Sequence, residues 1–423
     1  MRKKWGNRKS VRYVIIGNSA AGISASEVIR NLDKNGEISI ISKENFPAYS
    51  PMLITYYLKK KIKWNEMFIR ENDFYKNNHL KMYFGKKVVE VKETQKKVIL
   101  ENGEEIIYDR LLIASGASPY FPDIPGLKKC KKALGLRTLE DAKNISSLAT
   151  KKRRVVVMGG GLVSLQVTNA LILRGLETTL LVSSSQILSR NLDHRGASIL
   201  QDALIEKGVK IYFNTSPTKI IESKNELEIV LDSGNSLETD FIVVGKGVRP
   251  NIDFLSKSSI KIDYGILVNQ YMQSNFIDVF AAGDVAQVYD FLCQKNQINA
   301  IWPNAVLQGK LAGYNMVNNS RRKAGDQFIG MNITEIAGNR ICSIGQTINN
   351  EDKVKEIFRI DTKKKIYRKF LIKNGNIIGA VLINKIEDAG IINTMIRKQI
   401  NLEKIKTNLL IDNHSSITSV IVK

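Results

Sequence analysis

Tyr13-Val14-Ile15-Ile16-Gly17-Asn18-Ser19-Ala20-Ala21-Gly22-Ile23 and, further along, Val155-Val156-Val157-Met158-Gly159-Gly160-Gly161-Leu162-Val163-Ser164-Leu165 follow one plan. A β-branched run meets a glycine-rich turn, and an apolar helical pattern leaves it. The run reads as a buried parallel strand, and the glycine lets the chain turn tightly off its end. The helix that follows directs its free N–H groups and the positive end of its dipole into the turn, which suits a pyrophosphate. One such turn is compatible with packing alone. Two in one chain point to two dinucleotides, and so to an electron donor and an electron carrier on the same protein.

Around these turns the chain has 423 residues, too many for one core and suited to two or three domains. No apolar run approaches the roughly 20 residues that a bilayer span needs. Met1-Arg2-Lys3-Lys4-Trp5-Gly6-Asn7-Arg8-Lys9 has the basic start of a signal peptide. Only Val14–Ile16 is apolar before Gly17 turns the chain, so no h-region follows and a cytoplasmic location is expected. Cys130, Cys293 and Cys342 lie far apart, which suits a reducing compartment and gives neither a metal site nor a redox disulfide. The formal charge of +23 is spread over clusters such as Lys59-Lys60-Lys61, Lys151-Lys152-Arg153-Arg154 and Lys363-Lys364-Lys365. No nucleic-acid recognition motif accompanies them, so no nucleic-acid partner is expected. Two readings of the charge stand: a compositional drift toward Lys, Asn and Ile on solvated faces, or a basic docking surface for an acidic electron carrier.

Along the chain, the pattern predicts a strand over 11–16, a helix from Ala20 to Leu32 and a strand over 37–41 that ends at Ser42-Lys43-Glu44. A helical stretch follows near 62–74, then alternating segments at 86–91 and 97–100, with Asn102-Gly103 marking a hairpin turn. The strand Leu111-Leu112-Ile113-Ala114 stops at Ser115-Gly116, and Pro119, Pro122, Pro125 and Gly126 form a connector. A second α/β unit spans about 154–240. The strand Phe241-Ile242-Val243-Val244 after it ends in Gly245-Lys246-Gly247-Val248-Arg249-Pro250. From about Phe328, short strands around Ile333, Ile341, Phe370 and Ile378 and a late helix near 388–400 read as a separate α+β domain.

Taken together, these spaced motifs resemble the flavin- and pyridine-nucleotide-dependent oxidoreductases with two dinucleotide-binding domains. The branch they look like is the thiol-free one of NAD(P)H-linked rubredoxin and ferredoxin reductases and the flavoprotein subunit of phenylglyoxylate dehydrogenase. The resemblance runs from about Arg12 to about Arg397. It implies an α/β fold with two Rossmann-like domains, for FAD (1–122 and 243–322) and for NAD(P) (123–242), plus a C-terminal α+β interface domain (323–423). On the flavin side it places Gly17, Ser19, Ala20, Ala21 and Gly22 around the pyrophosphate, with Ser19 in place of the usual middle glycine. Glu44 is placed at the adenosine ribose, Ser50 in the loop past the flavin ring, and Val88 where the backbone meets the adenine. Ala114-Ser115-Gly116 passes close to the cofactor, and Gly283-Asp284 binds the ribityl chain. Trp302, Asn304 and Ala305 open a helix at the pyrimidine edge of the isoalloxazine, where free N–H groups favour negative charge on reduced flavin.

On the nicotinamide side the resemblance places Gly159, Gly161 and Leu162 at the turn, with Ser164 replacing the third glycine at some cost in packing. Gln166 stands near the nicotinamide carboxamide in place of a glutamate, and Gly245 and Gly247 lie in the turn near the nicotinamide. Ser183 stands where NADH users often carry an acid, and no arginine clamp is evident, so the cofactor is NAD(H) or NADP(H). Disulfide reductases of this superfamily carry a cysteine pair beside the flavin, and coenzyme A disulfide reductases and water-forming oxidases carry a single cysteine after the second strand. Here that loop reads Tyr49-Ser50-Pro51-Met52-Leu53-Ile54-Thr55-Tyr56-Tyr57, with no cysteine, which argues against thiol chemistry at the flavin. His79, His194 and His414 form no dyad, and no side chain is assigned as acid or base. The implied function is an FAD-dependent NAD(P)H:acceptor oxidoreductase, delivering electrons to a ferredoxin- or rubredoxin-like protein or a partner subunit, as a homodimer or within a larger complex. The alternatives are an NAD(P)H oxidase without a thiol, and a redox-silent scaffold whose second site has degenerated at Ser164, Gln166 and Ser183.

Overall fold

The computed structural model describes residues 10–71, 73–223, 226–317, 322–323, 328–349 and 351–402. The basic segment Met1–Lys9 and His414 lie outside them. The chain forms two compact units, and it passes between them several times.

The first unit takes Met1–Ser50, Phe68–Ala117 and Pro250–Phe328. Its core is a five-stranded parallel sheet in the order Val279–Ala281, Arg110–Ile113, Arg12–Ile16, Glu37–Ser42, Leu80–Phe84. The apolar runs are buried because the sheet is covered, which is what continuous rather than alternating hydrophobicity demands. The helix Ala20–Leu32 packs along the helix Trp302–Val317 with almost no side chain between them. A Cβ on Gly309 would lie 2.2 Å from the Ala21 carbonyl oxygen, and one on Gly313 2.7 Å from that of Ala25. A three-stranded sheet of Val88–Lys92, Lys97–Leu100 and Glu105–Ile107 turns at Asn102-Gly103, as the sequence predicts.

The second unit takes Pro51–Met67, Ser118–Arg249 and Ile329–Lys423. Its parallel sheet runs Lys210–Tyr212, Glu177–Leu181, Arg154–Met158, Phe241–Val244, Ala133–Gly135. It also holds a five-stranded antiparallel sheet in the order Met331–Ile336, Asn339–Gly345, Asn376–Ile383, Ile366–Lys373, Lys355–Asp361, with the helix Ala389–Arg397 packed on it. Two parallel sheets with a C-terminal antiparallel one are the α/β architecture that the sequence implies. The helix expected near 62–74 does not form. That stretch holds a single 3₁₀ turn, Trp64–Met67, and a short helix that only begins at Phe74, while the helix before it is Ile54–Leu58.

Candidate functional site

In each unit the central strand ends in the same hydrogen-bonded corner. Gly17 N–H donates to the Ile41 carbonyl at 2.8 Å and Ala114 N–H to the Ile16 carbonyl at 2.8 Å. In the second unit, Gly159 N–H donates to the Leu181 carbonyl and Gly245 N–H to the Met158 carbonyl, both also at 2.8 Å. Both corners need glycine. Gly17 and Gly159 have φ of +119° and +122°, and a Cβ there would strike the Ala114 or Gly245 carbonyl oxygen at 2.1 or 2.4 Å. Each corner lies at the carboxyl end of a parallel sheet, where the strand order reverses and α/β folds bind ligands.

At the first corner a Cβ on Gly22 would lie 2.0 Å from the Gly17 carbonyl oxygen, so the helix sits directly on the turn. Ala20 and Ala21 are buried in it, while Ser19 is exposed at the helix N-cap with no capping bond from its side chain. Asn18 ties the turn to the loop beyond the second strand: its Nδ2 donates to the Phe46 carbonyl at 3.3 Å. Its Oδ1 accepts from Tyr75, whose hydroxyl oxygen in turn accepts from Ala48 N–H. In that loop the Tyr49 hydroxyl donates to Glu44 Oε2 at 2.6 Å, and Ser50 is buried. Val88 is buried opposite Leu100.

Ser115 and Asn251 clasp each other: Ser115 Oγ donates to the Asn251 carbonyl and Asn251 Nδ2 to the Ser115 carbonyl, each at 2.8 Å. Asn251 N–H also donates to the Gly116 carbonyl. Gly283 N–H is held by Gln308 Oε1 at 2.7 Å, and Gln308 is only 1% exposed. That bond sets Gly283-Asp284 against the first turn of the Trp302–Val317 helix, where a Cβ on Gly283 would meet Ala21 Cβ at 3.4 Å and Ala305 Cβ at 3.7 Å. Asp284 is buried there. In the same helical turn Asn304 is 2% exposed, and its Nδ2 has no hydrogen-bond partner among the described residues. A buried amide donor without a partner costs about 1–3 kcal/mol. Such a cost marks a place where a ligand acceptor belongs.

At the second corner Ser164 is fully buried, and its hydroxyl donates to the Gly245 carbonyl at 3.0 Å. The expected packing cost of a serine here is absent, because the opposite residue is glycine: a Cβ on Gly245 would lie 2.1 Å from Ser164 Oγ. Gly161 is the N-cap residue of the helix that starts at Leu162, and a Cβ on it would meet nothing within 4 Å. Gly247 likewise faces open space. Gln166 spends both ends of its amide within the unit, accepting from Thr55 Oγ1 at 3.2 Å and donating to Thr334 Oγ1. Ser183 is exposed, and Lys246 Nζ donates to its hydroxyl at 3.3 Å. Sequence reasoning assigns no role to Asn18, Lys246, Asn251 or Gln308, whose contacts are with residues distant in the chain.

A pair of glycine corners on parallel sheets, with a third, antiparallel sheet, defines a class: α/β oxidoreductases with two dinucleotide-binding folds. The chain belongs to the pyridine nucleotide-disulphide oxidoreductase family, whose model matches residues 11–309. Residues 331–400 match the rubredoxin NAD+ reductase C-terminal domain. The chain is 28% identical to the NADH-dependent phenylglyoxylate dehydrogenase subunit epsilon of Aromatoleum evansii, over 94% of each chain. It is 32% identical to an NADH oxidase of Methanocaldococcus jannaschii, over 76% of this chain and 75% of the other. The fold matches that of the covalent putidaredoxin reductase–putidaredoxin complex with a TM-score of 0.89 at 22% identity, covering 98% of this chain and 99% of that one. The enzyme is an oxidoreductase whose family uses FAD and NAD(H). The residues present fit both. The first corner offers a bare helix N-terminus and, at Asn304, a buried donor with no partner among the described residues, and the second offers a bare turn at Gly161.

Proposed function

We propose that the chain is a thiol-free flavoprotein that accepts electrons from a reduced nicotinamide nucleotide on its second unit. It passes them from FAD on its first unit to a rubredoxin- or ferredoxin-like protein. The observation that carries this reading is the repeated glycine corner, joined in the first unit by the buried Nδ2 of Asn304, which has no hydrogen-bond partner among the described residues. FAD, once bound, supplies the hydride-accepting ring; the protein supplies binding, orientation and charge. The turn from Gly17 to Ala21 directs backbone N–H groups at the pyrophosphate, Glu44 takes the adenosine ribose, and Val88 lies by the adenine. The loop to Ser50 and the Ala114-Ser115-Gly116 segment border the cofactor, and Asp284 accepts from the ribityl hydroxyls. Trp302, Asn304 and Ala305 present a helix N-terminus and an amide donor to the pyrimidine edge, where charge develops on reduction. Gly159, Gly161 and Leu162 cradle the second pyrophosphate, Ser183 faces the ribose, and Gln166, Gly245 and Gly247 lie toward the nicotinamide.

Two of the three cysteines, Cys130 and Cys342, are buried and poorly placed for thiol chemistry. Burial pushes Cys342 up to about 12 and raises Cys130 as well, so both stay protonated near neutrality. The division into FAD-binding, NAD(P)-binding and C-terminal interface domains, a homodimer and a cytoplasmic location complete the proposal. The match of residues 331–400 to a rubredoxin reductase domain supports the protein acceptor. The likeness to the Methanocaldococcus oxidase favours oxygen as the second reading. An anaerobic absorption spectrum of the purified protein tests the core of it. A flavin band that bleaches on adding NADH or NADPH is expected, followed by recovery on adding oxidised rubredoxin, ferredoxin or oxygen separately. Protein that carries no flavin and takes none up from free FAD overturns the reading.

A further inference from the structure

The second corner carries one polar contact that the reading above leaves unused. Lys246 lies two residues past the strand Phe241–Val244, and Ser183 lies two residues past the strand Glu177–Leu181. These strands flank the central strand Arg154–Met158 on opposite sides. The 3.3 Å bond from Lys246 Nζ to Ser183 Oγ therefore spans the carboxyl end of the central strand, beyond which the Gly159–Gly161 turn begins. The lysine reaches there from a segment that turns at Gly247, with φ of +94° and open space about it. No carboxylate pairs with this ammonium among the described residues. Burial lowers the pKa of Lys246 with no anion to offset it.

Resting on the assignment of this corner to the nicotinamide nucleotide, we propose that Lys246, anchored on Ser183, receives the 2′-phosphate of NADPH. Three physical points lead there. The position after the second strand of such a fold meets the adenosine ribose, and a carboxylate there binds the ribose diol and repels a 2′-phosphate. Here a neutral hydroxyl holds that position, and a cation from across the sheet touches it. A half-buried ammonium with a single neutral partner gains a charge-assisted bond when a phosphate oxygen arrives. A free ribose hydroxyl offers it only a neutral one. The same lysine leaves NADH able to bind, because it repels nothing on an unphosphorylated ribose. The chain is thus a reductase that takes both nucleotides with a bias toward NADPH, and the bias resides in one side chain.

Calorimetric titration of the flavin-loaded protein with adenosine 2′,5′-bisphosphate and with 5′-AMP separates the two claims. Binding of both, the bisphosphate about tenfold or more tightly, is expected. Lys246→Ala should remove that increment while the flavin spectrum and melting temperature stay put, and Lys246→Arg should restore most of it. Ser183→Glu, at an exposed position, tests the same contact from the other side and should make the bisphosphate the weaker ligand. If 5′-AMP binds but the 2′-phosphate adds nothing, Lys246 has no such role and the corner is still a nucleotide site. If Lys246→Ala weakens both ligands equally, the lysine serves the 5′-phosphate and the proposal fails. An increment kept in Lys246→Ala but lost on replacing Arg190, seven residues beyond Ser183 in the chain, moves the role to that arginine and also defeats the proposal. Failure of both ligands to bind overturns the proposal and the assignment beneath it.

Discussion

Ser164 shows how a single residue departs from a motif without loss. The sequence marks it as a flaw in the turn, because the pattern calls for glycine. In the structure the residue facing it is Gly245, whose missing side chain leaves room for the serine hydroxyl. Gly245→Ala alone should destabilise the protein by about 1–3 kcal/mol through overpacking. The double variant Gly245→Ala with Ser164→Gly should recover more than half of that, read by denaturant unfolding as a coupling between the two sites. At the first corner, Asp284→Ala should weaken retention of FAD by roughly 1.5–3 kcal/mol, the worth of a charge-assisted hydrogen bond. Equilibrium dialysis of the flavin measures it. The glycines were legible because backbone geometry leaves few alternatives at such a turn. Gln308 and Asn251 were not, since each acts on a backbone group far away in sequence, and no local pattern encodes such a bond.

Elements were legible where the apolar periodicity was long, as in the helix Ala20–Leu32. The stretch near 62–74 misled because charged and polar residues such as Lys63, Glu66, Arg70 and Glu71, spaced among apolar ones, imitate an amphipathic helix. The helix forms instead over Ile54–Leu58, whose β-branched and aromatic residues have modest propensity but pack on the helices Leu139–Leu148 and Leu162–Leu173. The edge strand Lys355–Asp361 escaped notice for a related reason. Its sequence, Lys355-Glu356-Ile357-Phe358-Arg359-Ile360-Asp361, mixes charges with apolar residues without a period of two, and charges on an edge discourage further pairing. The contact between the helices Ala20–Leu32 and Trp302–Val317 is set by small residues, Gly309 and Gly313 against Ala21 and Ala25. Gly309→Val would force those helices apart at the end that carries Ala21, Ala305 and Gly283. Loss of flavin from the purified protein and a fall in stability of about 2 kcal/mol or more are expected. Unchanged flavin content in a spectrum would show that the helix separation is not what sets the site.

Over the molecule as a whole, the second unit joins its parallel and antiparallel sheets through a polar network. Asp193 caps the helix His194–Glu206 through Gly196 N–H at 3.0 Å and accepts from the Tyr367 hydroxyl at 2.5 Å. Lys369, 2% exposed at its side chain, lies 3.2 Å from Asp193 and 3.7 Å from Glu356. Burial opposes ionisation of Asp193, but the Tyr367 hydroxyl, Gly196 N–H and Lys369 outweigh it and hold the carboxyl below its usual range. A carboxyl with a depressed folded pKa stabilises fully above its unfolded value of about 4 and loses that contribution as the pH falls below it. Asp193→Asn keeps a capping side chain but not the charge. It should cost about 1–3 kcal/mol at neutral pH, and the gap in melting temperature from the parent should close below about pH 4. The two-sheet plan of this molecule was legible, while this network was not, because its members come from segments that only the fold brings together. The repeated passage of the chain between its units also bears on biosynthesis. The sheet built on Arg12–Ile16 needs the strand Val279–Ala281, and its covering helix ends at Val317, so the nascent first unit waits while the intervening residues of the second are translated. At ordinary translation speeds that wait is on the order of tens of seconds, with an apolar strand edge uncovered. Fragments released from the ribosome before Phe328 should therefore be captured by chaperones or degraded, and folding of the first unit should be a late, near post-translational event.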